Sequence, residues 1–278
     1  MSTRLTDRAA LMRGRRRAAT APALFLQDEA ADELHQRLAM VNRRFTTPAV
    51  VTGWPDPWRA VFPDALFCAD AETLSLAPGA HDLVIHALCL HWADDPVGQL
   101  IQCRRALKPD GLFLGILFGG QTLAELRAAL AEAESAVAGG LSPRVLPMAE
   151  IRDLGGLMQR AGFALPVADS LTRTVSYAGP LALMRDLRAM GEANAMAARP
   201  RRFTRRAVLG EAAARYVRAF GTPDGRVPAT FEMIALTGWA PGPGQPQPLR
   251  PGSATERLAD ALGTAETVLP DPATPRRD

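Results

Sequence analysis

The chain has 278 residues, 47% hydrophobic and 22% charged, with a net charge of +3. These values exclude a disordered or fibrous protein and leave room for one large domain or two small ones. The longest apolar run, Gly111 to Gly119, is strand-sized, far short of the ~18 residues of a membrane span.

The positive charge is almost all arginine; Lys108 is the only lysine. No basic stripe carries interleaved aromatics, so nucleic acid is not an expected partner. Cys68, Cys89 and Cys103 lack CxxC spacing and read as reduced core thiols. Residues 1–25 hold Arg4, Arg8, Arg13, Arg15, Arg16 and Arg17 against the single acid Asp7. That is the composition of a mitochondrial presequence, but the Ala-, Pro- and Gly-rich, lysine-poor chain points to a GC-rich bacterial genome. The expectation is a basic arm over 1–27 on a cytoplasmic bacterial protein.

A first helix is expected from Asp28 to Arg43, capped by Asp28, with Leu34, Leu38 and Val41 inward. Short apolar strands follow at Ala49–Thr52, Leu66–Ala69, Asp82–Leu90 and Leu112–Phe118, as parallel strands buried on both faces should look. Helical patterns cover Pro96–Leu107, Leu123–Val137 and Ala149–Ala161. This alternation predicts an α/β, Rossmann-like doubly wound sheet. A short strand is expected at Thr174–Tyr177, then helices opening at Pro180 and Thr204, then a last strand at Ala229–Leu236. Two helices inserted before the last strand predict a cap, about 178–226, over the ligand edge of a domain spanning 28–240. From Pro241 to 278 the proline spacing predicts a disordered tail.

The most informative run is Cys68 to Trp92: an acid ends one strand, an edge loop follows, and Asp82-Leu83-Val84 opens the next. This is how the adenine side of an S-adenosylmethionine site is built. Asp70 can accept from the adenine amino group and Ala71 can cover the ring. Gly53, His86 and Ala87 complete the candidate cofactor wall. Asp70 also stands about 20 residues after the glycine turn, where a ribose acid would stand. The twelve-residue step to Asp82 favours the adenine role. His91 and Trp92 follow the strand on the substrate side. A lone aspartate or histidine is more often a loop cap or a packing residue; here the run and its spacing act together. Gln121, in the turn Gly119-Gly120-Gln121-Thr122, is a further candidate to meet a ligand, although a tight strand-to-helix turn explains the glycines equally well.

The glycine-rich turn of a nucleotide-type site should follow the first strand. The chain has Val50-Val51-Thr52-Gly53-Trp54-Pro55-Asp56-Pro57, so Gly53 alone remains. Only about fifteen residues separate it from the end of the next strand, where a βαβ unit takes roughly thirty. One element near 54–64 is expected to be missing, and with it much of the affinity for S-adenosylmethionine.

Leu90-His-Trp-Ala-Asp-Asp95, Leu107-Lys-Pro-Asp-Gly111, Gly119-Gly-Gln-Thr-Leu-Ala-Glu-Leu-Arg127, Leu187-Arg-Ala-Met-Gly-Glu-Ala-Asn194 and Gly238-Trp239 together resemble the complex I assembly factor 5 family, within the class I methyltransferase superfamily. The resemblance runs to about Ala254. It implies a methyltransferase fold and hydroxylation of an arginine on the complex I subunit that carries the iron–sulfur cluster next to the quinone site. The implied partner is that subunit or its bacterial NADH dehydrogenase counterpart. Read from the motifs and from the placement of the cap, the candidate catalytic residues are His91, Trp92, Gln121 and Asn194. Two other functions stay open: an S-adenosylmethionine-dependent methyltransferase and a non-catalytic assembly chaperone. No His-x-Asp or Glu pattern with a distant histidine emerges to hold iron, so no metal residues are expected.

Overall fold

The computed structural model describes residues 4–245 and 256–265. Contacts divide the chain into two units, Met1–Pro243 and Gly244–Asp278. The first opens with α1 (Arg8–Ala18) and α2 (Phe25–Ala39), then β1 (Pro48–Thr52), α3 (Pro55–Val61), β2 (Leu66–Cys68) and β3 (His81–Ala87). A 3-10 turn (Leu90–Trp92), α4 (Pro96–Ala106), β4 (Leu107–Phe118), α5 (Ala124–Ala138) and α6 (Ile151–Arg160) follow. β5 (Ala164–Tyr177), α7 (Pro180–Ala189), α8 (Arg206–Phe220) and β6 (Val227–Trp239) complete it. In the second unit a five-residue helix, α9 (Leu258–Leu262), is described; most of the expected tail lies outside the described residues.

The strands form one six-stranded sheet in the order β2-β1-β3-β4-β6-β5. β2, β1, β3 and β4 are parallel, and β6 and β5 join antiparallel. Every residue of β3 is buried, the pattern of a strand covered on both faces. One face packs Val50, Ile85, Leu112 and Leu114 against Leu34, Trp58, Leu126 and Tyr216 from α2, α3, α5 and α8. The other packs Ala49, Val51, Val84 and Phe113 against Leu100, Cys103, Leu154 and Met158 from α4 and α6.

A single strand, β2, lies between β1 and β3 in the chain; it pairs directly with β1 and forms the edge of the sheet, so the strand expected to be missing beside β1 is present. The segment 54–64 is not empty either: α3 fills it, with Pro55 and Pro57 tolerated in a first turn that needs few donors. The first helix corrects the expectation at both ends. It starts three residues before Asp28, with Leu24 at the cap position and no side-chain cap bond, and stops at Ala39. α8 is likewise preceded by Arg205 rather than capped by Thr204, and buries Val208, Ala212 and Tyr216. β5 extends ten residues before Thr174. Pro166 and the polar run Asp169 to Thr174 disguise it, but as an edge strand it needs only one apolar face and takes its ladder from β6. The expected arm is helical: α1 is capped by Asp7, which accepts from the Ala10 amide. Among the described residues no helix is long and apolar enough to cross a membrane.

Candidate functional site

The chain leaves β1 toward β2 on one side and then crosses to β3 on the other, so the crevice of this sheet opens beyond Thr52 and Ala87. Both walls turn sharply there. Leu88 has a positive φ of 45°, a conformation costly for a branched side chain, and leads into the 3-10 turn carrying His91 and Trp92. Leu123 after β4 has φ 55°.

On the β1–β2 side, Gly53 and Asp70 meet across the crevice, but they meet a side chain of α1. Arg15 is 4% exposed, and its Nη1 donates to both Asp70 oxygens at 2.8 and 2.9 Å. Arg8 reaches the same carboxylate at 3.4 Å and also donates to the Asp70 carbonyl. Burial works against the Arg15 charge, yet the carboxylates of Asp70 and Glu192 raise its pKa above the ordinary value. A Cβ on Gly53 would lie 2.3 Å from the Arg15 Cζ, so glycine here admits the guanidinium. Asp70 follows β2, the strand paired with β1. Ala71 is exposed, and its carbonyl accepts from Gln99. His86 is fully buried in β3, 2.8 Å from Gln99 Oε1, and desolvation lowers its pKa to about 4. Ala87 belongs to the core against α2 and α5. His86 and Ala87 therefore carry packing, and both things a nucleoside would want, an open glycine surface and a free carboxylate, are taken up by α1.

On the β3–β4 side, Glu192, in the loop after α7, joins the two aromatic candidates. Its Oε2 accepts from Trp92 Nε1 at 2.7 Å and stands 3.3 Å from His91 Nε2. Burial alone would raise the Glu192 pKa; the His91 hydrogen bond, the His91 and Arg15 charges and the Trp92 hydrogen bond hold it below the ordinary value. Its Oε1 is buried without a hydrogen-bond partner among the described residues. A cavity of about 270 Å³ opens from here under the cap, walled by Trp92, Phe118, Leu126, Leu187 and Phe231, with Arg188 and Asn194 also lining it. α7 and α8 thus lie over the C-terminal edge of the sheet, as the cap reading expects. Asn194 braces a loop, its Nδ2 donating to the Pro143 carbonyl at 2.8 Å. Gln121 does not join the group: its side chain is exposed and its backbone amide donates to Glu232. Another wall is fastened by Glu134, which accepts from Ser142 and from Arg144, the latter at 2.6 Å.

Arg15 and Glu192 are the two residues that sequence reasoning missed. Arg15 is one of six arginines in a stretch with nothing to set it apart. Glu192 stood inside the specific Met190-Gly-Glu-Ala-Asn194 run, which was the available signal. Among the described residues no three His, Cys, Asp or Glu side chains gather as a metal site.

A family model described as a methyltransferase domain matches residues 49–115, from β1 into β4. The zebrafish (Danio rerio) mitochondrial arginine-hydroxylase NDUFAF5 is 38% identical over 226 residues, 81% of this chain and 70% of that protein. The chain belongs to the arginine-hydroxylase NDUFAF5 family. A malonyl-[acyl-carrier protein] O-methyltransferase of Halorhodospira halophila is also similar, 39% identical over 65% of this chain and 59% of its own length. Among solved structures, the YcgJ protein of Bacillus subtilis covers 77% of this chain and 98% of its own at 9% identity and a TM-score of 0.47. Membership of the NDUFAF5 family and the doubly wound sheet agree on a class I methyltransferase fold.

Proposed function

We propose that this chain modifies an arginine side chain of the iron–sulfur, quinone-site subunit of NADH dehydrogenase, in the bacterial cytoplasm before that complex is assembled, and that the modification is a hydroxylation, which consumes dioxygen and a two-electron reductant from solution, places one oxygen atom on the arginine and releases the other as water. The observation that carries the reading is the cavity ending at Glu192. At about 270 Å³ it is below the ~300–1,000 Å³ of pockets that enclose drug-sized ligands, and suits one long side chain. Its leucines and phenylalanines match the methylene stem of an arginine, and the Trp92 ring offers a face to a cation. The buried Glu192 carboxylate, with Oε1 unpartnered among the described residues, is the group a guanidinium seeks. In this account Glu192 pairs with the substrate, Trp92 positions Glu192, and His91, beside both, is the group able to hold or move a proton. The family name of the relatives, arginine hydroxylase, supports the substrate class.

S-adenosylmethionine, the cofactor implied by the fold, has a poor fit to the crevice, because Arg15 occupies the Gly53 surface and consumes Asp70. A methyltransferase reading is favoured by the O-methyltransferase relatives and by the domain match. Calorimetry of the chain with an arginine-containing peptide of the iron–sulfur subunit tests the proposal. Saturable binding that Glu192→Gln weakens at least tenfold supports it; equal binding by parent and variant removes the pocket from the account.

A further inference from the structure

The crevice beside β1 is the place where an open α/β sheet takes a phosphate or nucleoside, yet here its walls are shaped around a guanidinium. Arg15 lies between two glycines. A Cβ on Gly53 would fall 2.3 Å from Cζ and from Nη1, and a Cβ on Gly191 would fall 3.0 Å from Cγ. Gly191 has φ +77°, so its backbone also favours glycine. Asp70 closes the far end with both oxygens on Nη1. Trp54, where a second turn glycine would be expected, packs beside Gly191 at the same stem.

The helix carrying Arg15 is tied down along its length. The amides of Leu5 and Thr6 donate to Asp94, and Asp7 pairs with Arg199. Thr6 bridges Met196, and Leu11 is buried with Trp92, Leu146 and Met196. The Ala23 amide, beyond α1, donates to the Ala189 carbonyl. These ties lead to the cap and to the loop after β3, so α1 joins both sides of the crevice mouth. An arginine on a solvated arm would show none of this.

We propose that the cofactor crevice of this chain has become a guanidinium site filled by its own Arg15, and that α1 docking and S-adenosylmethionine binding exclude each other. The inference is independent of what the Glu192 cavity takes. α1 does the work of a bound ligand: it supplies the counter-charge to a buried aspartate and seals the sheet edge.

A double-mutant cycle tests the fit. Gly53→Ala is measured in the parent and in Arg15→Met, a change that keeps the aliphatic stem and removes the guanidinium. Gly53→Ala should lower the melting temperature of the parent by several-fold more than that of Arg15→Met. Equal losses in both backgrounds overturn the proposal. A second measurement needs no variant: calorimetry of the full chain with S-adenosylmethionine, beside hydrogen exchange of the α1 amides. No saturable binding, or binding that strips exchange protection from α1, fits mutual exclusion. Binding at micromolar concentration with α1 fully protected overturns it, and would leave the arginine pocket at Glu192 untouched.

Discussion

Replacing Glu134 by glutamine should loosen a wall of the proposed substrate cavity, with a cost that depends on pH in a defined direction. Glu134 sits on α5 with a side chain 9% exposed, and its oxygens accept from the Ser142 amide, the Ser142 hydroxyl and Arg144. The Arg144 hydrogen bond, ahead of the Ser142 bonds, depresses its pKa from 4.5 to about 2. At ~1.4 kcal/mol per pH unit the ceiling is about 3 kcal/mol. Solvent near the rim and the bonds a glutamine can keep reduce the expected loss to about 2 kcal/mol at pH 7. Because the folded pKa is the lower one, the stabilisation is complete above pH 4.5 and disappears as pH falls toward 2. Urea unfolding of parent and Glu134→Gln between pH 7 and pH 3 measures it. A difference that shrinks on acidification is expected. The same difference at every pH, or none at pH 7, would refute the electrostatic reasoning. The Val145–Leu146 wall should become more exchange-labile in the variant.

Three further outcomes follow from burial. Trp58→Phe removes the Nε1 donor that Gln27 Oε1 accepts at 2.9 Å and leaves a buried amide oxygen unpaired, so denaturant unfolding should register a loss of about 2 kcal/mol. Cys68, Cys89 and Cys103 are all buried, and desolvation raises each thiol above its ordinary pKa; an alkylating reagent at pH 8 should label them only after unfolding, and rapid labelling of the native chain would contradict the packing. Leu126→Trp, placed on the cavity wall, should fill the space and abolish peptide binding while the circular dichroism spectrum stays that of the parent.

The central sheet was readable because parallel strands covered on both faces leave an unbroken apolar signature, as in Ala49–Thr52 and Leu112–Phe118. β5 was mostly hidden because an edge strand can carry Pro166, Asp169 and Arg173 and still pair along its length with β6. Helix starts were misplaced where backbone context replaced the side-chain cap, as at Leu24 and Arg205. At the site, His91 and Trp92 were legible from their place after a strand. His86 was not separable from them by pattern, although in β3 it points into packing with Gln99 and Cys89. The Arg15–Asp70 pair spans 55 residues. No local periodicity reports such a contact, and an arginine-rich stretch reads as a solvated arm until the helix is seen to dock.

The most direct test of the function is mass spectrometry of the iron–sulfur, quinone-site subunit from cells carrying the parent gene, no gene, or Glu192→Gln. The account predicts one arginine bearing an added oxygen with the parent gene, and the unmodified arginine in both other strains. An identical subunit in all three strains, or an added methyl group in place of the oxygen, would contradict it.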